Sequence, residues 1–286
     1  MTMIHPAGLP SQLQALKRTL VMGVVNVTPD SFSDGGRWFT PREAISQARR
    51  LADEGADLID VGGESTRPGT SRVTLAEETD RVLPVVEQLA AEGAHVSIDT
   101  MRASVAQEAV RLGAVVINDV SGGLADPDMS RVVAETGVTY VAMHWRAHSD
   151  VMDDHDRYDD VVADVSRELG DRISVLTAAG VCKEQIVLDP GLGFAKSGAS
   201  NWPLLAHLNV LQDHGLPVLV GASRKRFLGH LLARDESEVV PPEGRDYATH
   251  AVSALMAAQG AWCVRVHQVQ GTLDAVRVAA ALRAAR

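Results

Sequence analysis

Residues 40–64 have the sequence TPREAISQARRLADEGADLIDVGGE, which predicts a helix, a turn and a strand in immediate succession. Thr40 stands before a proline, and Glu43 follows three residues on, the pattern of a helix N-cap with a capping box. Gly55 is the residue type that most often follows a helix C-terminus. The run at 58–61 is mostly apolar, which is typical of a parallel strand covered on both faces. The stretch is therefore one unit of an α/β fold.

The same unit repeats along the chain, because short runs rich in valine and isoleucine alternate with helical patterns. The predicted strands are Thr19–Val27, Leu58–Val61, His95–Ile98, Val115–Ile117, Tyr140–Met143, Ile186–Leu188, Val218–Val220 and Cys263–Val266. Eight units in 286 residues favour a closed barrel over an open sheet. We therefore predict a single-domain (β/α)8 TIM barrel over residues 19–286, after an N-terminal extension of residues 1–18.

Local signals predict where several helices begin and end. A second capping box is expected at Thr74 with Glu77, and Asp126 before Pro127 is expected to cap another helix. Glycines should follow the C-termini of the helices that precede strands. These glycines are Gly55, Gly93, Gly113, Gly137, Gly180 and Gly215.

Composition excludes several classes of partner. The net charge of −10 argues against a nucleic-acid or anionic-membrane surface, since both partners need a basic face. No apolar run approaches the length of a membrane span, and no leader pattern precedes the barrel, so we expect a cytoplasmic protein. Cys182 and Cys263 have no metal-binding spacing and are predicted to be free, buried thiols.

Polar residues follow nearly every predicted strand, at the end where a (β/α)8 enzyme has its active site. Any one of them could be a turn former or a helix cap. Asp99, Asn118 and Asp189 are predicted to converge there, and carboxylates beside an amide suit a ring edge with several N–H donors. A pair of carboxylates could instead serve a glycosidase. The shortage of aromatic residues, 4% of the chain, disfavours that alternative.

Basic residues follow the last two strands, where barrels frequently bind phosphate. Arg265 and His267 are two residues apart, so both should face the same side about 6.6 Å apart. Lys225 follows the seventh strand within a run of basic residues, of which at least one arginine should face solvent. The alternative is that Arg265 forms a salt bridge at the strand end and His267 packs in the rim.

Two segments resemble the signature sequences of dihydropteroate synthases: residues 26–36, NVTPDSFSDGG, and residues 60–69, DVGGESTRPG. Further segments resemble that family in the family's order, from residue 19 to the C-terminus. They lie at 98–100, 117–119, 143–144, 188–196, 221–227 and 265–267. The resemblance implies a (β/α)8 barrel that joins a dihydropterin pyrophosphate to p-aminobenzoate in folate synthesis, with Mg2+ as cofactor and usually as a homodimer.

The resemblance also implies roles for individual residues. Asp99, Asn118, Asp189 and Lys225 match pterin-pocket positions, Asn26 matches the residue near the metal, and Arg265 and His267 match the anion site. Positions on the p-aminobenzoate side are Phe32, Thr66, Arg67, Pro68, Phe194 and Ser223, and Asp34 and Met143 are further expected substrate contacts. Asp99, Lys225, Arg265 and His267 are the expected catalytic residues.

Two other functions stay open at this point. One is a pterin-binding methyltransferase that works with a corrinoid; Asp153 and His155 begin its D-x-H-x-x-G signature, but Tyr158 stands at the glycine position. The other is a catalytically silent relative that only binds. The glycine-bearing loops also predict that p-aminobenzoate, or a sulfonamide like it, binds well only after pyrophosphate and magnesium.

Overall fold

The computed structural model describes residues 4–28, 40–64, 72–148, 155–196, 198–235 and 238–285, and these residues form eight parallel strands. The strands are β1 Leu20–Asn26, β2 Leu58–Gly62, β3 Val96–Asp99, β4 Ala114–Asp119, β5 Thr139–Met143, β6 Ile186–Asp189, β7 Leu219–Val220 and β8 Cys263–Val266. Their order is β6-β5-β4-β3-β2-β1-β8-β7. A parallel bridge between Leu188 and Val218 closes β6 onto β7. The predicted (β/α)8 barrel is confirmed.

Helices surround the strands. They are α1 Ser11–Gln14, α2 Pro41–Asp53, α3 Leu75–Ala91, α4 Ala103–Arg111, α5 Met129–Thr136, α6 Val161–Ala178, α7 Gly198–Ala206, α8 Leu208–Gln212, α9 Arg226–Leu232, α10 Asp246–Ala258 and α11 Val269–Ala284. Among the described segments, no helix has both the length and the apolar character needed to cross a membrane.

The structure confirms the predicted helix starts to different degrees. Thr40 forms the complete capping box with Glu43. Thr74 accepts a hydrogen bond from the Glu77 amide at 3.2 Å, but the Glu77 carboxylate pairs with Arg81, so the second box is only half formed. The prediction for Asp126 holds in part: its Oδ1 accepts from the Asp128 amide at 3.0 Å in the turn before α5, although the helix begins at Met129. Its Oδ2 accepts from the Ala103 amide at 2.8 Å at the start of α4, a tertiary contact that has no local sequence signal.

The predicted helix stops are confirmed, because all six glycines have a positive φ, between 67° and 112°. Only glycine adopts this conformation at little cost, and it lets the chain turn from each helix into the next strand. The strands that follow are thereby aimed in the same direction. Their carboxyl ends, with the polar residues that follow them, therefore meet at one end of the barrel.

The opposite end of the barrel is filled by apolar side chains. Leu20, Leu58 and Cys263, near the strand starts, are fully buried, and Leu9 and Leu13 of the N-terminal segment pack against this layer. Trp262 belongs to the same cluster. Burial of Cys263 is as predicted, but Cys182 is exposed, because it lies in the turn after α6 and not in a strand. The packed end leaves the carboxyl ends of the strands as the place for a site.

Candidate active site

Strand register brings the predicted pterin residues together at the carboxyl end of the barrel. Asp99 is the last residue of β3 and lies opposite Asn118 of β4 in the parallel ladder. Asp189 is the last residue of β6. Asn118 and Asp189 are both buried, whereas Asp99 is partly exposed to the site. Two carboxylates and an amide therefore face one space, as the sequence predicts.

Asp60 of β2 links this group and was not among the predicted site residues. One of its oxygens, Oδ2, accepts from Asn118 Nδ2 at 3.0 Å and from Arg265 Nε at 2.6 Å. Its Oδ1 is buried without a partner in the described part of the chain. Because Asp60 is fully buried, it cannot contact much substrate itself. It orients Asn118 and Arg265, and only its place at a strand end hinted at this.

Arg265 lies between two carboxylates. Besides its bond to Asp60, it donates from Nη2 to Asp99 Oδ2 at 2.7 Å. Burial raises the pKa of Asp99 to about 7, although the Arg265 guanidinium opposes that rise. Arg265 therefore fits both interpretations of the sequence, the salt bridge and the anion site. It forms salt bridges at the strand end, and its Nη1 makes no hydrogen bond to the described residues. That nitrogen remains a donor for an anion.

Lys225 and Phe194 face each other beside Asp189. The Lys225 ammonium lies 4.1 Å from the centroid of the Phe194 ring, within the range of a cation–π contact. Burial lowers the pKa of Lys225 to about 8. Phe194 also packs on the apolar cluster of Met101, Val120 and Met143, which gives the site an apolar wall. An apolar wall near carboxylates and an ammonium suits a flat ring system that has polar groups at its edge.

Ser223 and His267 form a hydrogen-bonded pair on the other side of Arg265. The His267 amide donates to Ser223 Oγ at 3.1 Å, and Oγ lies 3.0 Å from His267 Nδ1. Burial lowers the pKa of His267 to about 3, with nearby cations adding to the effect. The imidazole is therefore neutral, and its Nε2 makes no hydrogen bond to the described residues.

The comparison with known proteins agrees with this arrangement. A family model described as "Pterin binding enzyme" matches residues 22–267. The chain belongs to the pterin binding enzyme family, among its dihydropteroate synthases. The dihydropteroate synthase of Mycobacterium leprae (strain TN) is 52% identical over 262 residues, which cover 91% of this chain and 92% of that protein. The resemblance seen in the sequence is confirmed, and with it the assignment as a transferase.

Solved structures of such synthases share the fold. The Xanthomonas albilineans dihydropteroate synthase with 4-aminobenzoic acid matches with a TM-score of 0.85 and 46% identity, over 93% of this chain and 94% of that one. The same organism's synthase in complex with 7,8-dihydropteroate matches with a TM-score of 0.82 and 44% identity, over 93% and 94%. The barrel and the order of its elements are therefore those of the pterin binding enzymes.

Several predicted residues of this pterin binding enzyme are not in the described segments. Phe32, Asp34, Thr66, Arg67 and Pro68 lie outside the described residues, so their predicted roles stay predictions. The prediction that p-aminobenzoate binds well only after pyrophosphate and magnesium also stays a prediction, because it depends on the loops that contain these residues.

The residues around one undescribed segment reveal a further contact. Arg102, which precedes α4, donates to Glu64 Oε2 at 2.8 Å and to the Val73 carbonyl at 2.5 Å. It also pairs with the buried Glu78. Glu64 and Val73 flank residues 65–71, so Arg102 holds the two ends of the β2-to-α3 connection together. Sequence reasoning did not identify Arg102.

Histidine and aspartate residues recur between His144 and Asp156, a composition that predicts an acidic, solvated loop more readily than a metal site. No group of three or more histidine, cysteine or acidic side chains is placed to hold a metal among the residues that the structure describes. His144, however, is buried and not solvated. Arg226 in the basic run is exposed, as predicted, whereas Arg224 pairs with Asp246 at 2.8 Å.

Proposed function

We propose that the enzyme condenses (7,8-dihydropterin-6-yl)methyl diphosphate with p-aminobenzoate to give 7,8-dihydropteroate and pyrophosphate. One observation supports it most: Asp99, Asn118, Asp189 and Lys225 lie at the carboxyl end of the barrel, next to Arg265 and His267. Within the described chain, Asn118 Oδ1 and Asp189 Oδ2 make no hydrogen bond. These acceptors suit the ring N–H and amino groups of a pterin.

The proposed mechanism is dissociative. The bond between the pterin methylene carbon and the ester oxygen breaks, and pyrophosphate leaves with the bonding electrons. The resulting cation is delocalised into the dihydropterin ring, and the aniline nitrogen of p-aminobenzoate attacks the methylene carbon and then loses a proton. The Asp99 carboxylate stabilises the cation, while Arg265 and His267 donate to the departing oxygens. No side chain acts as a nucleophile.

Asn26 is the residue we propose to hold Mg2+. It ends β1 and is partly exposed, and its side chain makes no hydrogen bond to the described residues. Magnesium takes oxygen ligands and usually binds through few protein groups, substrate phosphate oxygens and water, so one uncommitted amide oxygen fits it. When bound, the ion would neutralise charge on the leaving group. Asn26 would thereby hold the positive charge of the ion at the end of β1.

The reaction itself is the first test. Purified protein incubated with the dihydropterin pyrophosphate, p-aminobenzoate and Mg2+ should release 7,8-dihydropteroate and pyrophosphate in equal amounts. A folded protein that binds the free pterin but forms neither product would be a silent relative. Transfer of a methyl group from a methylated pterin to a corrinoid would instead support the methyltransferase alternative.

The pH dependence of kcat/KM should be bell-shaped. The proposed chemistry needs Asp99 as carboxylate and Lys225 as ammonium. With pKa values of about 7 and about 8, activity should rise with pH through the first value and fall through the second. Steady-state rates at pH 5.5 to 9.5 measure this profile. In Lys225→Arg the alkaline limb should move to higher pH, since a guanidinium keeps its proton. A flat profile would contradict these assignments.

We also propose that the enzyme is a homodimer. The packed pair of helices α10 and α11 exposes large apolar side chains, with Leu255, Val278 and Leu282 each 60 to 62% exposed. Large apolar side chains that stay exposed on one pair of packed helices make this pair a candidate interface. Leu255→Lys with Val278→Lys should convert a dimer to a monomer in analytical ultracentrifugation. Leu124→Lys, at an exposed leucine of the loop after β4, should remain dimeric; a wild-type monomer would refute the proposal.

A cytoplasmic location is part of the proposal. The pyrophosphate ester carries several negative charges, and charged groups cross a bilayer only at a high free-energy cost. The enzyme should therefore act where its substrate is made. Cell fractionation should recover the protein with cytosolic markers, and recovery in the membrane pellet would contradict this.

A further inference from the structure

A second polar cluster lies beneath the turn that follows β6, and none of the roles given above uses it. Its central members, Lys196 and His144, are 6% and 3% exposed. A lysine is rarely buried to this extent unless its charge is compensated. The cluster borders the pterin residues, because its turn begins directly after Asp189.

The Lys196 ammonium is fully satisfied as a hydrogen-bond donor. Its Nζ lies 2.9 Å from His144 Nδ1, 3.1 Å from the Gly191 carbonyl and 2.9 Å from the Phe194 carbonyl. An ammonium has three N–H groups, and each has one acceptor here. Loss of any one proton would leave a buried acceptor without a partner.

His144 and Glu168 fix the direction of this arrangement. His144 Nε2 lies 2.8 Å from Glu168 Oε2, so the imidazole proton is on Nε2 and Nδ1 is an acceptor for Lys196. Burial and the Lys196 cation lower the pKa of His144 to about 4, which keeps the ring neutral. Glu168 also pairs with Arg146 at 2.5 Å and therefore stays charged. The chain of contacts runs from Glu168 through His144 to Lys196.

The backbone that Lys196 holds is unfavourable by itself. Gly191, Gly193 and Ala195 have φ values of 67°, 72° and 47°, and alanine pays a steric penalty in this left-handed region. The same turn supplies two groups to the site. The Gly191 amide donates to Asp189 Oδ1 at 2.7 Å, and Phe194 carries the ring that faces Lys225.

We propose that Lys196, oriented by His144 and Glu168, is a positioning residue for pterin binding, and this rests on the proposed function. It holds the turn 191–196 so that Asp189 presents Oδ2 to the ring and Phe194 stays against the Lys225 ammonium. Lys196 does not touch substrate. Its loss should weaken binding of the substrate and of the transition state equally, because both use the same contacts to the pterin ring.

The test compares kinetics and binding in Lys196→Met, which keeps an unbranched side chain one atom shorter than lysine and removes its donors. KM for the dihydropterin pyrophosphate and Kd for free 6-hydroxymethyl-7,8-dihydropterin should each rise at least about 10-fold, with kcat changed less than about 3-fold. Leu13→Ala is the matched control, since it destabilises the opposite end of the barrel. It should lower the unfolding temperature but leave KM and Kd unchanged. A Lys196→Met enzyme with wild-type KM and Kd would overturn the proposal.

A pair of variants at His144 keeps the proposal testable if Lys196→Met does not fold. His144→Asn places an amide oxygen near the Nδ1 position, so it should retain most of the pterin affinity. His144→Leu removes the acceptor and should reproduce the rise in KM. Equal pterin affinity in both variants would overturn the proposal. Failure of wild-type protein to bind the pterin or to turn over would refute the proposed function instead, so the two failures are distinguishable.

Discussion

Replacement of Arg265 by methionine should lower kcat/KM for the dihydropterin pyrophosphate by about 1,000-fold or more, and it should also destabilise the fold. The guanidinium is the shared partner of Asp60 and Asp99. Removing one member of a buried ion pair leaves an uncompensated charge and costs about 3–5 kcal/mol. Loss of a donor to a developing oxyanion costs a further factor of about 100 to 1,000 in rate.

The match of Arg265 to the anion site implies by itself that its loss would spare affinity for the free pterin. The structure adds two contacts, because Arg265 donates to Asp99 and to the Asp60 oxygen that also accepts from Asn118. Arg265→Met should therefore weaken binding of the free pterin as well as turnover of the ester. Calorimetry with the free pterin and thermal unfolding measure the two effects.

His267→Ala is the matched control for this experiment. Its ring bonds to Ser223 alone among the described residues and compensates no buried carboxylate. We expect turnover to fall about 10- to 100-fold with nearly unchanged stability and unchanged affinity for the free pterin. If Arg265→Met showed this same pattern, with intact pterin affinity and stability, the shared role of Arg265 in both subsites would be wrong.

Local sequence signals predicted the scaffold well, because each depends on neighbouring residues. Alternating apolar runs identified the eight strands, and glycine at the helix ends predicted six positive φ angles. Strand ends identified Asp99, Asn118 and Asp189. Asp126 shows the limit, since its second oxygen accepts from an amide of α4, 23 residues earlier. A cap that acts across the fold leaves no trace in spacing.

The residues of the site that the sequence did not predict were missed for one physical reason. Asp60 and Arg102 hold other residues in place, as we propose for Lys196, and a decisive partner of each is distant in the sequence. Arg265 is 205 residues from Asp60, and His144 is 52 residues from Lys196. Strand ends and motifs reveal which side chains face a substrate. They do not reveal which buried charges hold those side chains in place, because that depends on the closed barrel.

Asp189→Asn should reduce affinity for the free pterin about 100-fold while leaving the folded protein as stable as wild type or more stable. Asp189 Oδ1 accepts from the Gly191 amide, and Oδ2 is the oxygen that faces the ring. An asparagine must place its NH2 group either toward the pterin donors or toward the Gly191 amide, so one donor always meets another donor. Hydrogen bonds to a charged group contribute about 1.5–3 kcal/mol, which is about a 10- to 150-fold change in affinity.

The effect of Asp189→Asn on stability should be neutral or favourable. Burial raises the pKa of Asp189, and an amide removes the cost of the buried charge while its oxygen can still accept from the Gly191 amide. Asp119→Asn is the matched control, because Asp119 also ends a strand and burial raises its pKa too. Both of its oxygens accept within the described fold, Oδ1 from Ser121 and Oδ2 from Gly123 and Tyr140, so an amide NH2 group would face a donor there.

Asp119→Asn should lower the free energy of unfolding and leave pterin affinity within a few-fold of wild type, the reverse of Asp189→Asn. Calorimetric titration with 6-hydroxymethyl-7,8-dihydropterin and urea unfolding measure both variants under the same conditions. Equal losses of affinity in the two variants would mean that Asp189 supports the barrel and does not bind the ring. Because the two substitutions exchange the same atoms in the same kind of environment, only the direction that each carboxylate faces separates their expected results.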